Sequence, residues 1–191
     1  MKSPIYWHPK IYNYSMRLLY GKDFFKKYEL VAKAIGKLSV LDVCCGDCFL
    51  SKYIDYDKYQ GIDVNPAFIN YGKRLGLNLS LADVVEDEWP ATECIVILGS
   101  LYQFIPRHEE IINKALRIAR KRVIISEPVI NLAQSNNCFI AAIARRFTSP
   151  GVGSSMERFS RNSLTALYNK YGASEIFNAG REMVGIFNIA N

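Results

Sequence analysis

The sequence predicts an α/β domain built on a doubly wound, seven-stranded sheet, mostly parallel and ending in an antiparallel C-terminal hairpin strand. Three observations carry that expectation. Short apolar runs alternate with stretches of helical periodicity over residues 38–127, the pattern of strand–helix–strand units. Two runs, CIVIL and VIIS, are apolar without interruption, as in strands covered on both faces. Two final strand-like runs, ASEIFNAG and REMVGIFNIA, meet at Ala179-Gly180-Arg181, which suits a hairpin.

Each element follows from local chemistry. Leu18, Leu19, Phe24, Phe25, Leu30, Val31, Ala34 and Ile35 form an apolar stripe, so one helix is expected from Tyr12 to a stop at Gly36. The strands are expected at residues 38–43, 59–64, 77–83, 93–99 and 122–127. Cys48–Tyr53 reads as a short helix. A second begins at Pro66, where a missing amide hydrogen costs little. A third, residues 107–120, has Glu109 and Glu110 early and Arg117 and Arg120 late, which suits the helix dipole. After Glu127 come a helix over 132–147, a turn-rich SPGVGSS and a helix over 161–170. One domain is expected, residues 1–191: an N-terminal helical lid (1–36), a ligand-binding core (37–128), a helical insert or lid (129–172) and the terminal strand pair (173–191).

Half of the 191 residues are apolar and 13% are aromatic, enough for a substantial core. The start has no unbroken apolar stretch of a secretion signal, and CFIAAIA is far too short to span a membrane. A cytoplasmic protein without integral membrane segment, monomeric or homodimeric, is the expectation. The net charge of +6 is uneven: eight Lys/Arg face two Asp/Glu in residues 1–39, ten face thirteen in 40–128, and six face three in 129–191. Basic ends suit an anionic substrate or a membrane surface, or are simply solvated lysines.

In an open parallel sheet, ligands bind beyond the carboxyl ends of the strands, so the first strand's exit, LDVCCGDCFL, is the place to look. Three of five cysteines fall there. Zinc would need a second pair of ligands, and Cys94, Cys138, His8 and His108 are isolated, so no metal is expected. A redox pair at Cys45 and Cys48 is an alternative, although Asp47 between them would raise a thiol pKa. Only Gly46 fits the glycine slots of a dinucleotide loop, and no GxxxxGK[ST] occurs. The remaining reading makes the cysteines small apolar loop residues. If a positive φ is needed at Cys48, it is strained there.

The run VLDVCCGDC resembles motif I of the class I S-adenosylmethionine-dependent methyltransferases, with Asp42 as the acid, Gly46 as the central glycine and Cys44 and Cys48 in the outer glycine slots. Downstream, Asp63 closes the second strand in GIDVNP and Asp83 follows the third in LADVVED. LGSLYQF follows the fourth and SEP the fifth, and ERFSRNSLTALYNKYGA resembles the helix before the last two strands of small-molecule members. The resemblance implies a Rossmann-like fold with S-adenosylmethionine as cofactor and S-adenosylhomocysteine as product. It implies that Gly46 passes close to the methionine part, with Asp42 and Cys44 in the same loop. Asp63, with Val64 beside it, would take the ribose hydroxyls. Asp83 would bond the adenine amino group and Val84 pack on the ring. Gly99 and Ser100 would face the cofactor, with Tyr12 and Tyr14 contributed by the lid.

Methyl transfer is an in-line displacement governed by proximity and alignment, with a base only where the nucleophile is protonated. Tyr102, Gln103 and Glu127 are the candidates for positioning the acceptor. His108 could be a base, though a solvent-exposed helix start is the plainer reading. The acceptor is expected to be small and anionic or aromatic, with Arg145, Arg146, Arg158 and Arg161 as contacts. Nucleic acid is disfavoured, because the basic residues are spread out. Two alternatives stand beside this reading: a cofactor-binding regulatory or partner subunit without transferase activity, and a lipid-directed methyltransferase at a membrane surface, suggested by Tyr6, Trp7, Tyr12 and Tyr14.

Overall fold

The computed structural model describes residues 9–21, 23–129 and 158–190. The expected helix over 132–147, together with Arg145, Arg146, Cys138, Tyr6, Trp7 and His8, lies outside the described residues. The single N-terminal helix of the sequence reading is two. Helix α1 (Pro9–Tyr20) ends at Gly21, whose φ of +57° no helix tolerates, and α2 (Asp23–Ile35) follows. The apolar stripe is continuous in sequence, but one left-handed residue splits it.

The other elements are β1 (Val40–Val43), β2 (Tyr59–Asp63), α3 (Pro66–Arg74), β3 (Asn78–Leu81), β4 (Cys94–Leu98), α4 (His108–Ile118), β5 (Arg122–Pro128), α5 (Arg161–Lys170), β6 (Glu175–Ala179) and β7 (Glu182–Asn188). The Asn65 side chain caps α3 by accepting the Ala67 amide, and Pro66 follows at the first helical position. A capping box between Ser160 and Ser163 starts α5. Strands β1–β4 are one to three residues shorter than the expected runs, and β5 is one residue longer, reaching Pro128.

The sheet order is β3-β2-β1-β4-β5-β7-β6. Strand β7 is antiparallel to both of its neighbours, and the pairs among β1–β5 are all parallel. This is the doubly wound, Rossmann-like arrangement expected, with the hairpin at its C-terminus. Alternate strand residues serve two cores. Leu41, Val43, Ile95, Ile97, Val123 and Ile125 pack against α4 and α5. Val40, Cys94, Val96 and Ile124 face the other way, toward Phe24, Tyr28, Val31 and Ile35 of α2 and Ile69 of α3. With both faces covered, the uninterrupted apolar runs are explained. No helix among the described residues is long and apolar enough to cross a membrane.

Strand order reverses between β1 and β4, since β1 pairs with β2 on one side and β4 on the other. The crevice at their carboxyl ends is where such sheets bind ligands.

Candidate cofactor and acceptor site

The loop after β1 is a tight turn held from β2. The Cys45 amide donates to the Ile62 carbonyl at 3.0 Å, and the Cys48 amide to the Cys45 carbonyl at 2.9 Å. The Gly46 amide donates to Asp63 Oδ2 at 2.9 Å, and the Asn65 amide to Oδ1 at 2.8 Å. The glycine of the β1 loop and the acid that closes β2 are thus in direct contact. Both Asp63 oxygens accept backbone amides, which fixes the carboxylate at the carboxyl end of β2. Beside it, Val64 is 60% exposed, an apolar side chain presented at the rim.

Both outer glycine slots need a glycine's conformation. Cys44 has φ +59° and Cys48 φ +57°, on either side of Gly46 at +53°. The strain raised as a condition for Cys48 is present, and Cys44 shares it. Cys48 also begins the single-turn 3₁₀ helix Phe49–Tyr53. The thiols themselves are core groups. Cys45 and Cys48 are buried, with sulfurs 3.7 Å apart. A side chain on Gly61 would come within 3.0 Å of the Cys45 sulfur, and one on Gly72 within 3.2 Å of the Cys48 sulfur. At both glycines the Leu79 side chain is nearer still, so the two positions leave room for Leu79 first and for the sulfurs beside it. Burial, then the charge of Asp63, pushes the Cys44 thiol above its ordinary range, so it is not poised as a nucleophile.

Asp42 lies beneath the loop rather than on it. It is 4% exposed, and the buried Tyr59 hydroxyl donates to Oδ2 at 2.8 Å. Burial pushes its pKa up to about 7, opposed by Tyr59 and assisted by Asp47 and Asp63. From α1, the Asn13 amide group donates to Asp47 Oδ2, which ties α1 to the turn. Tyr12 sets its ring edge against Phe68, centroids 5.6 Å apart, while Tyr14 is 71% exposed.

The loop after β4 is held differently. Glu127, fully buried at the end of β5, accepts the amides of Ser100 (2.8 Å) and Leu101 (2.7 Å) on one oxygen and that of Tyr102 (3.4 Å) on the other. Burial pushes Glu127 up to about 8, the amides pull it down, and the neighbouring charge of Glu182 adds to the rise. Glu127 therefore positions the loop from within. Gly99 has φ +63°, and the Lys27 ammonium, 3.9 Å away, is what a side chain there would meet. Ser100 Oγ is buried beside Cys44 and makes no hydrogen bond of normal geometry among the described residues. Gln103 is half-buried in the turn Leu101–Phe104.

The sequence reading missed Lys27 and Glu182. Lys27 Nζ pairs with Glu182 Oε1 at 2.7 Å, 8% and 2% exposed, and Ser126 Oγ donates to Glu182 Oε2 at 2.6 Å. This buried pair ties α2 to β7, 155 positions apart. The signal was present: Lys27 falls on the stripe of Phe24, Tyr28 and Val31, where a lysine needs an anion.

The adenine-side candidates are less assembled. Asp83 is exposed and accepts the Val85 amide at 2.9 Å. Val84 is buried in the core with Trp89, whose indole N–H donates to the Val84 carbonyl at 3.1 Å. At the β4 loop, the Arg158 guanidinium lies 3.8 Å from the centre of the Tyr102 ring. Arg161 instead donates to Asn178 Oδ1 at 2.7 Å, away from Tyr102. His108 is half-buried rather than exposed, its ring edge on Phe159 with centroids 5.3 Å apart. No grouping of His, Cys, Asp and Glu fit for a metal ion exists among the described residues.

No protein-family model and no curated protein sequence matches the chain. Solved structures do. A methyltransferase of Thermotoga maritima, described as S-adenosylmethionine-dependent and a possible histamine N-methyltransferase, matches at a TM-score of 0.67 and 12% identity, over 97% of this chain and 100% of that one. The N-methyltransferase NodS of Bradyrhizobium japonicum matches at 0.61 and 13%, over 90% and 97%. Magnesium protoporphyrin IX methyltransferase of Synechocystis, with bound S-adenosylhomocysteine, matches at 0.61 and 10%, over 92% and 87%. At such identities the likeness is one of fold, and the chain has the fold of the class I S-adenosylmethionine-dependent methyltransferases.

Proposed function

We propose that this protein transfers a methyl group from S-adenosylmethionine to a small-molecule acceptor, leaving S-adenosylhomocysteine. The observation that carries this is the Gly46–Asp63 contact at the β1/β4 switch point, in a chain of this fold. The crevice fits the cofactor in two further respects: an exposed apolar Val64 beside Asp63, and the Ser100 hydroxyl lacking a well-formed hydrogen bond.

Asp63 would take the ribose hydroxyls and Gly46 the methionine part, with Cys44, Gly99 and Ser100 around it. Val64 and Asp83 would serve the adenine, and Tyr12 and Tyr14 the lid side. Bound there, the cofactor supplies an electrophilic methyl group on a cationic sulfur whose departure needs no acid. The chain's own part is alignment. Tyr102 and Gln103 line the acceptor side. Glu127 acts through the loop it grips, not by touching substrate. Asp42 supports the floor beneath Gly46 through Tyr59.

Calorimetric titration of the full chain with S-adenosylhomocysteine, paired with methyl-transfer assays over a broad acceptor panel, tests the reading. Binding with turnover of at least one acceptor is expected. Absence of binding by either cofactor form would sink it. Binding without turnover anywhere on the panel would favour a regulatory subunit.

A further inference from the structure

Helix α1 has two faces of different kinds. Successive helical residues stand about 100° apart. Pro9, Tyr12, Asn13 and Met16 therefore share one face, and Ile11, Tyr14 and Leu18 share the other. The first face meets the protein. Pro9 is buried, Tyr12 sets its ring against Phe68, Asn13 donates to Asp47, and Met16 packs against the core around α2. The second face meets water, although all three of its side chains are large and apolar: Ile11 is 51% exposed, Tyr14 71% and Leu18 75%. Their spacing, i, i+3 and i+7, makes one stripe rather than scattered exceptions.

The surroundings of this stripe are cationic. Arg17 comes next around the helix, and its guanidinium lies 5.1 Å from the ring centre of the partly exposed Phe25 and 5.3 Å from that of Phe49. Lys52 Nζ lies 4.4 Å from the same Phe49 ring. Neither cation pairs with a carboxylate among the described residues. Lys26 and Lys33 are exposed on α2, against Glu29. Over residues 1–39 eight Lys/Arg stand against two Asp/Glu, and of the eight Lys27 is paired internally, with Glu182.

Charge and size choose the occupant. The positive surroundings oppose a second copy presenting the same face. Three side chains on one convex helix also fall well short of the roughly 800 Å² per partner that a stable protein interface buries. A bilayer needs neither a groove nor a matching shape. It takes apolar side chains to a shallow depth, while anionic headgroups attract the cations alongside.

We propose that the outer face of α1 docks this protein reversibly on an anionic phospholipid bilayer. Ile11, Tyr14 and Leu18 enter the boundary between headgroups and acyl chains, and Arg17 and Lys52 lie against the headgroups. This surface is separate from methyl transfer and does not require a lipid acceptor. Since Asn13 on the inner face holds Asp47 of the β1 turn, the docked bilayer stands across α1 from that turn.

The test is co-sedimentation of the full chain with vesicles of mixed phosphatidylcholine and phosphatidylserine, and with vesicles of phosphatidylcholine alone. Binding at least about tenfold tighter to the mixed vesicles is expected, weakening as salt is raised. The double variant Ile11→Ser/Leu18→Ser should bind them about tenfold more weakly, while its binding of S-adenosylhomocysteine stays unchanged. Arg17→Gln/Lys52→Gln should also lose about tenfold, by removing two charges from the headgroup layer. No binding to mixed vesicles, equal binding to both kinds, or full affinity in Ile11→Ser/Leu18→Ser would each overturn the proposal. So would a dimer in analytical ultracentrifugation that the same double variant dissociates, which would assign the face to a second copy. Titration with S-adenosylhomocysteine judges methyl transfer separately, so a chain that docks but binds no cofactor keeps this surface and loses that function.

Discussion

Two loops meet at the crevice and are built on opposite principles. The loop after β1 is shaped by its own backbone: three of its five residues have positive φ, and one amide–carboxylate contact, Gly46 to Asp63, holds its crest. The loop after β4 is shaped from outside, by a buried carboxylate that accepts three successive amides. A loop that carries its own strain presents its backbone to a ligand and tolerates few residue types. A loop gripped by a distant carboxylate is free to vary its side chains, so residues such as Tyr102 and Gln103 can change without loss of shape. The β1 loop is thus fixed by conformation and the β4 loop by a scaffold.

The largest effect should come from removing the scaffold. Glu127→Ala leaves three amide hydrogens without their acceptor in a dry interior, and the expected loss is about 3–5 kcal/mol of stability, read from denaturant unfolding. Glu127→Gln, which keeps one acceptor oxygen, should lose less. If Glu127→Ala unfolded at the wild-type denaturant concentration, the contrast between the loops would collapse.

The floor of the β1 loop gives a pH signature. Asp42 has its folded pKa raised to about 7 from 3.8, chiefly by burial. The folded state therefore holds this proton more tightly than the unfolded chain does. Its contribution is complete below pH 4 and is lost as pH rises through 7, with a slope of at most about 1.4 kcal/mol per pH unit. Glu127, raised to about 8 from 4.5, acts in the same sense. Asp42→Asn keeps an acceptor for Tyr59 and has nothing to titrate, so it should flatten the decline between pH 4 and 7. An unchanged profile in that variant would mean that Asp42 is ionised when buried.

Asp63 sharpens the comparison on the ligand side. Asp63→Ala removes the holder of Gly46 and the proposed ribose acceptor together. S-adenosylhomocysteine should bind at least about tenfold more weakly, while stability falls by only about 1–2 kcal/mol, since Gly46 and Asn65 sit at a half-wet rim. A variant that bound the cofactor normally would remove Asp63 from the site.

The strands, their order and the acids at their ends were legible because burial on both faces writes long apolar runs, and because strand-to-helix exits are short. Asp63 closes β2, but Asp42 lies one residue inside β1 and turns inward to Tyr59, Gly46 lies in the loop after it, and Asp83 lies two residues past β3. Glu127 was visible at a strand end, but its partners are backbone amides with no sequence signature. Lys27 and Glu182 are separated by 155 positions, so only Lys27's place on an apolar stripe hinted at the pair. The split at Gly21 was missed because the apolar stripe runs through it, and periodicity outweighed a single glycine.

The smallest effect, and the finest test of how the β1 loop is built, lies in its cysteines. Cys44 and Cys48 both occupy the left-handed region, where a non-glycine residue is disfavoured by roughly 1–2 kcal/mol. They differ in what the side chain does. Cys44 is half-buried, so Cys44→Gly trades little packing for relief of strain, less the greater unfolded freedom of glycine. A gain of about 0.5 kcal/mol is expected. Cys48 is 1% exposed, with its sulfur fitted into the space that Gly72 leaves and against Cys45. Cys48→Gly removes the same strain but opens a void in the core, so a net loss of about 0.5–1 kcal/mol is expected. Two substitutions of one kind, four residues apart in one turn, should therefore carry opposite signs in equilibrium unfolding. If both stabilise, the sulfur pair contributes no packing and conformation alone sets the loop. If both destabilise, the left-handed strain is smaller than the burial of either thiol, and cysteine is the better residue at both glycine slots.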